Sequence, residues 1–158
     1  REIFFNEFIK TIKKTQKNLK IETQYNLFYK PKKLEKEEYL FELKKKTKNN
    51  KTPIGPHKDT IEFHINKEQL KEHGSQGEKK LFKYILKLAE TDHLLEKTKK
   101  RPTILLDDFF AKLDDENIMK IFLYFHCKFQ TIITTTNTDN QTLKNIQNSN
   151  KIKTILFK

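Results

Sequence analysis

The sequence predicts an α/β protein in which helices flank a layered sheet. From Gly77 onward, stretches with helical and strand character follow as helix, strand, helix, strand, strand, the order of a sheet with parallel neighbours. Two of those strands, "TILL" and "TIITTT", are short and built from apolar or β-branched residues, which suits the interior of such a sheet. The chain's 158 residues, 35% hydrophobic and 34% charged, suffice for one domain with a core, or one plus a small appendage, and that core must lean on 13 Phe.

Phe4, Phe5, Phe8, Ile9 and Ile12 recur at helical spacing and predict an amphipathic helix over residues 2–18. "IETQYNLFY" places Tyr25, Leu27 and Tyr29 on one face of a strand, which Pro31 ends. "LEKEEYLFELKKKTKNN" carries acids early and lysines late, the charge order a helix dipole prefers. Pro53, Gly55 and Pro56 punctuate a loop, and "TIEFHIN" alternates again with Ile61, Phe63 and Ile65 on one side. After a polar loop, Leu81, Ile85, Leu88 and Ala89 mark a helix from about residue 76 to 96, with its periodicity as the warrant. "TILL" is the next strand, Ile118, Ile121, Phe122 and Phe125 mark a helix, and "TIITTT" and "IKTILF" are the last two strands.

No apolar run approaches the roughly 18 residues a bilayer span needs, and the N-terminus lacks a signal-peptide pattern. The lone Cys127 cannot form an internal disulfide, which favours a reducing, cytoplasmic setting. The sequon-like "NKT" at Asn50 to Thr52 is then a chance match. Lys and Arg number 33 against 21 Asp and Glu, a formal charge of +12. Such a surface attracts phosphate polyanions, so nucleic acid is the natural partner class. The excess is nearly all lysine in a chain also rich in Asn and Ile, which biased base composition alone can produce.

The stretch "TILLDDFFAKLDDEN" carries the chemistry. An apolar strand ends in Asp107 and Asp108, at the carboxyl edge where open parallel sheets bind ligands. Asp107 can hold a hard cation such as Mg²⁺ beside phosphates, and Asp108 can orient or deprotonate a water. The plainer alternative is a turn whose acids cap the next helix. A second element, "GSQGEKKLF", pairs Ser75 with Glu78 as a capping box. The same helix start, with Gly77, exposes N–H groups and a positive dipole end that suit a phosphate.

"SQGE", a helix, an apolar strand ending in "DD", then "AKLD" and a "TTT" strand occur in one order. With "GPHKDTIEFHIN", "LAETDHLLE" and "QTIITTTNTD" they resemble the C-terminal part of the RecF family. That family comprises DNA replication and repair proteins among the ATP-binding-cassette ATPases related to structural-maintenance-of-chromosomes proteins. The resemblance covers Thr52 to Asp139, and Thr23 to Asn50 is similar to the strand and helix before the Gly-Pro-His segment.

The resemblance implies the C-terminal portion of a P-loop NTPase fold, with residues 1–51 part of a helical lobe and 52–158 the ATPase portion. It makes Ser75, Gln76, Gly77 and Glu78 the signature motif, which contacts the γ-phosphate of a nucleotide held mainly by the other subunit. Asp107 would hold Mg²⁺ through water. Asp108 would be the catalytic base or water-orienting acid, and as Asp rather than Glu it implies slow hydrolysis. Ala111 to Asp114 would be the D-loop, with Asp114 across a dimer interface, and Thr134, Thr135 and Thr136 the switch region. For the complete protein it implies ATP and Mg²⁺ as cofactors and a weak, DNA-stimulated ATPase. It further implies an ATP-dependent homodimer on single-stranded or gapped duplex DNA, recombination-mediator partners that help load recombinase, the SOS response, and a bacterial cytoplasmic, nucleoid-associated setting.

One departure matters. The three glycines, Gly55, Gly74 and Gly77, cannot make Gly-x-x-x-x-Gly-Lys-Ser/Thr. With Arg1 in place of Met, the expectation is a piece of a longer protein whose P-loop lies upstream, and which alone hydrolyses no ATP. His57 and Lys58 fit a structural turn better than catalysis, and Lys99, Lys100 and Arg101 a solvated loop. His64, His73, His93 and His126 lack ligand spacing. Two other readings stand: a basic nucleic-acid-binding module without ATP chemistry, and an ATPase linked to a Mg-dependent nuclease.

Overall fold

The computed structural model describes residues 1–33, 35–45, 55–126, 128–136, 141–149, 153 and 155. Most of the expected strand "IKTILF" (all but Lys153 and Ile155), Cys127, Pro53, the "NKT" sequon and the end of the second expected helix lie outside the described residues. Two compact units emerge: Arg1–Lys10 with Thr23–Gly74, and Thr11–Glu22 with Ser75–Lys158. Helix α1 (Glu2–Asn18) gives its first half to one and its second half to the other.

The first unit holds strand β1 (Tyr25–Lys30), helix α2 (Lys36–Lys45), a 3₁₀ turn at Pro56–Lys58, β2 (Thr60–Ile65), β3 (Glu68–Gln69) and the short helix α3 (Leu70–His73). Its sheet runs in the order β1-β2-β3, antiparallel throughout. The predicted alternation sets the register: Tyr25, Leu27 and Tyr29 stand opposite Ile65, Phe63 and Ile61. Tyr25, Leu27 and Ile65 are buried. Asp59, just before β2, gathers three donors. The Tyr29 hydroxyl lies at 2.5 Å, the Arg1 guanidinium at 2.5 Å and the Lys32 N–H at 3.1 Å. Led by the Tyr29 bond, these hold its carboxyl below the ordinary aspartate range.

The second unit holds helix α4 (Gln76–Thr98), β4 (Ile104–Leu106), α5 (Asp115–His126), β5 (Thr131–Ile133) and α6 (Gln141–Ser149). β4 and β5 pair in parallel, as the alternating order requires, with Ile104, Leu105 and Leu106 opposite Thr131, Ile132 and Ile133. α4 buries Leu81, Phe82, Tyr84, Ile85, Leu88 and Ala89, a stripe at the i, i+3, i+4, i+7 spacing. α5 buries Ile118, Ile121, Phe122 and Phe125. Asp92 of α4 ties three helices, accepting the Tyr124 hydroxyl of α5 at 2.5 Å and the Thr15 hydroxyl of α1 at 3.5 Å.

Three details differ from expectation. α4 runs two residues further, to Thr98, and closes on Lys99 in the left-handed region (φ 59). Its cap N–H still reaches the Leu95 carbonyl at 2.9 Å, which is what this conformation secures for a helix end. The polar loop before α4 contains β3 and α3. Helix α6 has no counterpart in the sequence reading.

Candidate functional site

All the candidate nucleotide-site residues belong to the second unit. β4 ends at Leu106, and the chain then leaves extended geometry because Asp108 takes a left-handed conformation (φ 48), which Asp tolerates better than most residues. Phe109 decides which way this turn faces. It is fully buried, with its ring edge-on to Tyr84 at 5.3 Å, Phe110 at 5.2 Å and Phe125 at 5.9 Å. Such contacts, added to the burial of a large ring, favour one seating of the turn. With Phe109 and Phe110 inside, Asp107 and Asp108 stand exposed at the carboxyl edge of the strand.

Thr134 joins this edge from β5. Its N–H donates to the Leu106 carbonyl at 2.9 Å, one step beyond the strand pair. Its hydroxyl donates to Asp107 Oδ1 at 2.5 Å and accepts the Asp108 N–H at 3.2 Å. The strand expected over "TIITTT" therefore stops at Ile133, level with the point where the neighbouring chain leaves β4 and turns at Asp108. Thr135 is half-buried and Thr136 exposed in the loop that follows.

The helix start at Ser75 is built as the sequence predicts. Ser75 Oγ accepts the Glu78 N–H at 3.2 Å, and Glu78 Oε2 accepts the Ser75 N–H at 2.8 Å. The Ser75 backbone N–H thereby holds the Glu78 carboxyl below its ordinary range. The Ser75 hydroxyl adds a side-chain hydrogen bond that lowers the Glu78 carboxyl further. Gln76, exposed, and Gly77, half-buried, open the first turn. A Cβ on Gly77 would meet the Lys112 carbonyl at 3.4 Å, about van der Waals distance, so the helix start lies against the loop after β4.

That packing is tied by Lys80, a residue the sequence reading passed over. Its Nζ donates to the Asp108 carbonyl at 2.7 Å and to the Ala111 carbonyl at 2.5 Å. Burial pushes its ammonium below the ordinary lysine range, against the opposing pull of Asp108. Tyr84, one turn on, is pushed up to about 12 by burial, with Asp108 and Asp107 adding to the effect. The only available signal for Lys80 was its place one turn past Gly77, on the face that meets the acid loop.

Asp114 caps α5. Its Oδ1 accepts the Asn117 N–H at 2.8 Å and its Oδ2 the Asn117 amide at 2.7 Å. Burial pushes its carboxyl up, but the Asn117 donors outweigh this and hold it below the usual range. Asp115 accepts the Thr142 hydroxyl and so joins α5 to α6. The capping explanation of the acids thus applies to Asp114, whereas Asp107 and Asp108 cap no helix.

His57 and Lys58 lie in the first unit, in the 3₁₀ turn behind Gly55. Among the described residues no group of three His, Cys, Asp or Glu is placed to hold a metal. Asp107 fits Mg²⁺ in another way, as an exposed hard-oxygen ligand of the kind that completes a shell with phosphates and water. No helix among the described residues is long and apolar enough to cross a membrane.

The parallel strand pair between helices, the paired acids at its carboxyl edge and the capped helix start tied to the same loop belong to a mixed α/β fold of sheets with flanking helices. Solved structures of the recombination mediator protein RecF share it. The form with ATP superimposes with a TM-score of 0.65 at 24% identity, covering 89% of this chain and 41% of that one. The form with ATPrS gives 0.64. In sequence, the chain is similar to DNA replication and repair protein RecF, matching its C-terminal part. It is 39% identical to that of Geotalea daltonii over 98 residues, 61% of this chain and 27% of the relative. It is 41% identical to that of Listeria monocytogenes serotype 4b over 96 residues, 59% and 26%. The chain therefore spans about a quarter of the length of these relatives. No protein-family model matches it.

Proposed function

We propose that the protein to which this chain belongs is an ATP-dependent DNA-binding protein of recombinational repair and replication, and that the Asp107 edge and the Ser75 helix start are parts of its nucleotide site. The observation that carries the proposal is the hydrogen-bonded assembly of Thr134 on Asp107 and Asp108, with Lys80 of α4 on the same loop. It joins the three segments that the RecF resemblance assigns to the acid pair, the switch and the signature.

In this reading Asp107 supplies the oxygen ligand for Mg²⁺, which neutralises charge on the bound phosphates. Thr134 fixes the Asp107 carboxylate by occupying one of its oxygens. Asp108 orients the attacking water or accepts its proton, with its backbone pinned by Lys80. The Ser75 O–H and the α4 N-terminus serve a γ-phosphate held mainly by a second copy of the protein, so that ATP closes a dimer. The dimer acts on single-stranded or gapped DNA and helps load recombinase with mediator proteins during the SOS response, in the cytoplasm at the nucleoid. Hydrolysis is slow and stimulated by DNA, with the short Asp108 side chain as one cause.

The test is Asp107→Asn in the complete protein, read by phosphate release and by DNA affinity without nucleotide. The expected result is a fall in turnover of at least about 100-fold, the scale of removing one group that stabilises transition-state charge, with nucleotide-free DNA affinity unchanged. A wild-type protein that binds DNA but never hydrolyses ATP would refute the ATPase part and leave the basic binding module.

A further inference from the structure

Outside the nucleotide edge, a concentration of positive charge sits at the opposite end of the same two strands. Because β4 and β5 are parallel, with Ile104 opposite Thr131, the segments entering them arrive side by side. The Ile104 N–H donates to the Gln130 carbonyl at 2.9 Å, and the Thr103 hydroxyl to Gln130 Oε1 at 3.1 Å. Arg101, Thr103, His126, Lys128, Phe129 and Gln130 thereby line one open cleft of about 370 Å³. No Asp or Glu is among its lining residues. Lys99 and Lys100, exposed where the left-handed cap of α4 turns the chain, extend the charge toward Arg101.

Two of these groups are held in place. Lys128 Nζ lies over the Tyr124 ring, 3.8 Å from its centroid, and His126 stacks on Phe122 at 4.8 Å. A cation fixed on an aromatic face loses less freedom on binding than a fully mobile lysine does. An exposed arginine adds a planar fork that matches a phosphate, and Thr103 and Gln130 add neutral polar contacts. We propose that this cleft, formed by Arg101 and Lys128 at the amino ends of β4 and β5, grips backbone phosphates of DNA. The proposal rests on the DNA-binding reading above and deepens it. The charge favours this occupant: the chain is +12 overall, the cleft has no acid to repel phosphate, and its open shape lets a continuous strand pass. At about 3.3 Å per residue, the amino end of β4 at Ile104, beyond which the grip sits, lies on the order of 10 Å along the strand from Asp107. One rigid pair of strands would then carry DNA at one end and nucleotide at the other.

The test uses the complete protein and fluorescently labelled gapped duplex, with affinity measured by anisotropy across a salt series. The variants are Arg101→Gln with Lys128→Gln, and, as a control of equal charge, Lys13→Gln with Lys83→Gln, both exposed in the same unit. The cleft pair is expected to lower the slope of log affinity against log salt by about 2, near 0.9 for each phosphate no longer neutralised. The control pair is expected to leave the slope within about 0.5 of wild type. Because Lys128 packs on Tyr124, Arg101→Gln alone, with an expected slope reduction of about 1, keeps the result decisive if the double variant unfolds. Equal slopes for the cleft and control pairs, with wild type binding DNA, would overturn the cleft alone. A wild-type protein without DNA affinity would overturn the cleft and the DNA-binding reading together.

Discussion

Ser75 and Thr134 each do two jobs with one hydroxyl. The Ser75 oxygen accepts the Glu78 N–H as a cap, while its O–H, which also bonds the Glu78 carboxylate, is the group proposed above to serve a phosphate; the Thr134 hydroxyl donates to Asp107 and accepts from Asp108. For Ser75 the two jobs can be separated. Ser75→Ala removes the cap and is expected to cost about 1 kcal/mol, whereas Ser75→Gly costs only about a few tenths because glycine is itself an acceptable cap. If the O–H also serves a phosphate, Ser75→Gly should melt nearly as wild type yet lose ATP turnover in the complete protein; retained turnover would reduce Ser75 to a cap. Glu78 adds a pH signature. Its folded pKa is depressed, so its contribution is present above the unfolded value of about 4.3 and is lost as pH falls through the folded value. Thermal melts from pH 3 to 7 should therefore show wild type gaining on Glu78→Gln as pH rises, by a modest margin because the pair is at the surface.

At the scale of elements, the loop from Asp107 to Asp114 is irregular and yet held at several points. Two of its residues, Asp108 and Lys112, take left-handed conformations, each costing roughly 1–2 kcal/mol outside glycine. Phe109 in the core and Lys80 on the Asp108 and Ala111 carbonyls offset that cost. Lys80→Met keeps the aliphatic stem and deletes the donor. The complete protein should then lose about 1 kcal/mol per bond in stability and show a kcat that falls more than KM rises, with Lys80→Arg recovering part of kcat. An unchanged kcat in Lys80→Met would show that this tie only stabilises the fold. Sequence periodicity found α1, α4 and α5 because each carries a long apolar stripe. It missed α6, where a helix of mostly polar residues buries Thr142 and Ile146 and is fastened by the Thr142 bond to Asp115.

For the whole molecule, the central question is whether Ser75 and Asp107 serve the same nucleotide from two copies. Symmetry allows a direct answer. Ser75→Arg and Asp107→Asn should each abolish turnover alone. Mixed in equal amounts, they should recover about a quarter of wild-type activity, since half the dimers are mixed and one of the two sites in each mixed dimer is intact. No recovery would mean that both residues act within one chain. Phosphate release from the mixture, with sedimentation to confirm that dimers form with ATP, makes the measurement.

Sequence alone determined the order helix, strand, helix, strand from Gly77 to Ile133, the capping box at Ser75, and the pair of acids closing an apolar strand. These features depend on neighbours a few residues apart, where periodicity and turn chemistry act directly. What only the tertiary structure decided depends on residues far apart in the chain. Thr134 meets Asp107, Lys80 reaches Ala111, and Arg101 and Lys128 come to share one cleft. The first and last follow from the parallel pairing of β4 with β5, and the second from the seating of α4 against the turn that Phe109 anchors. Strand pairing and packing of this kind join segments whose sequence separation leaves no local trace, so what stands beside the acids could be read only from the fold.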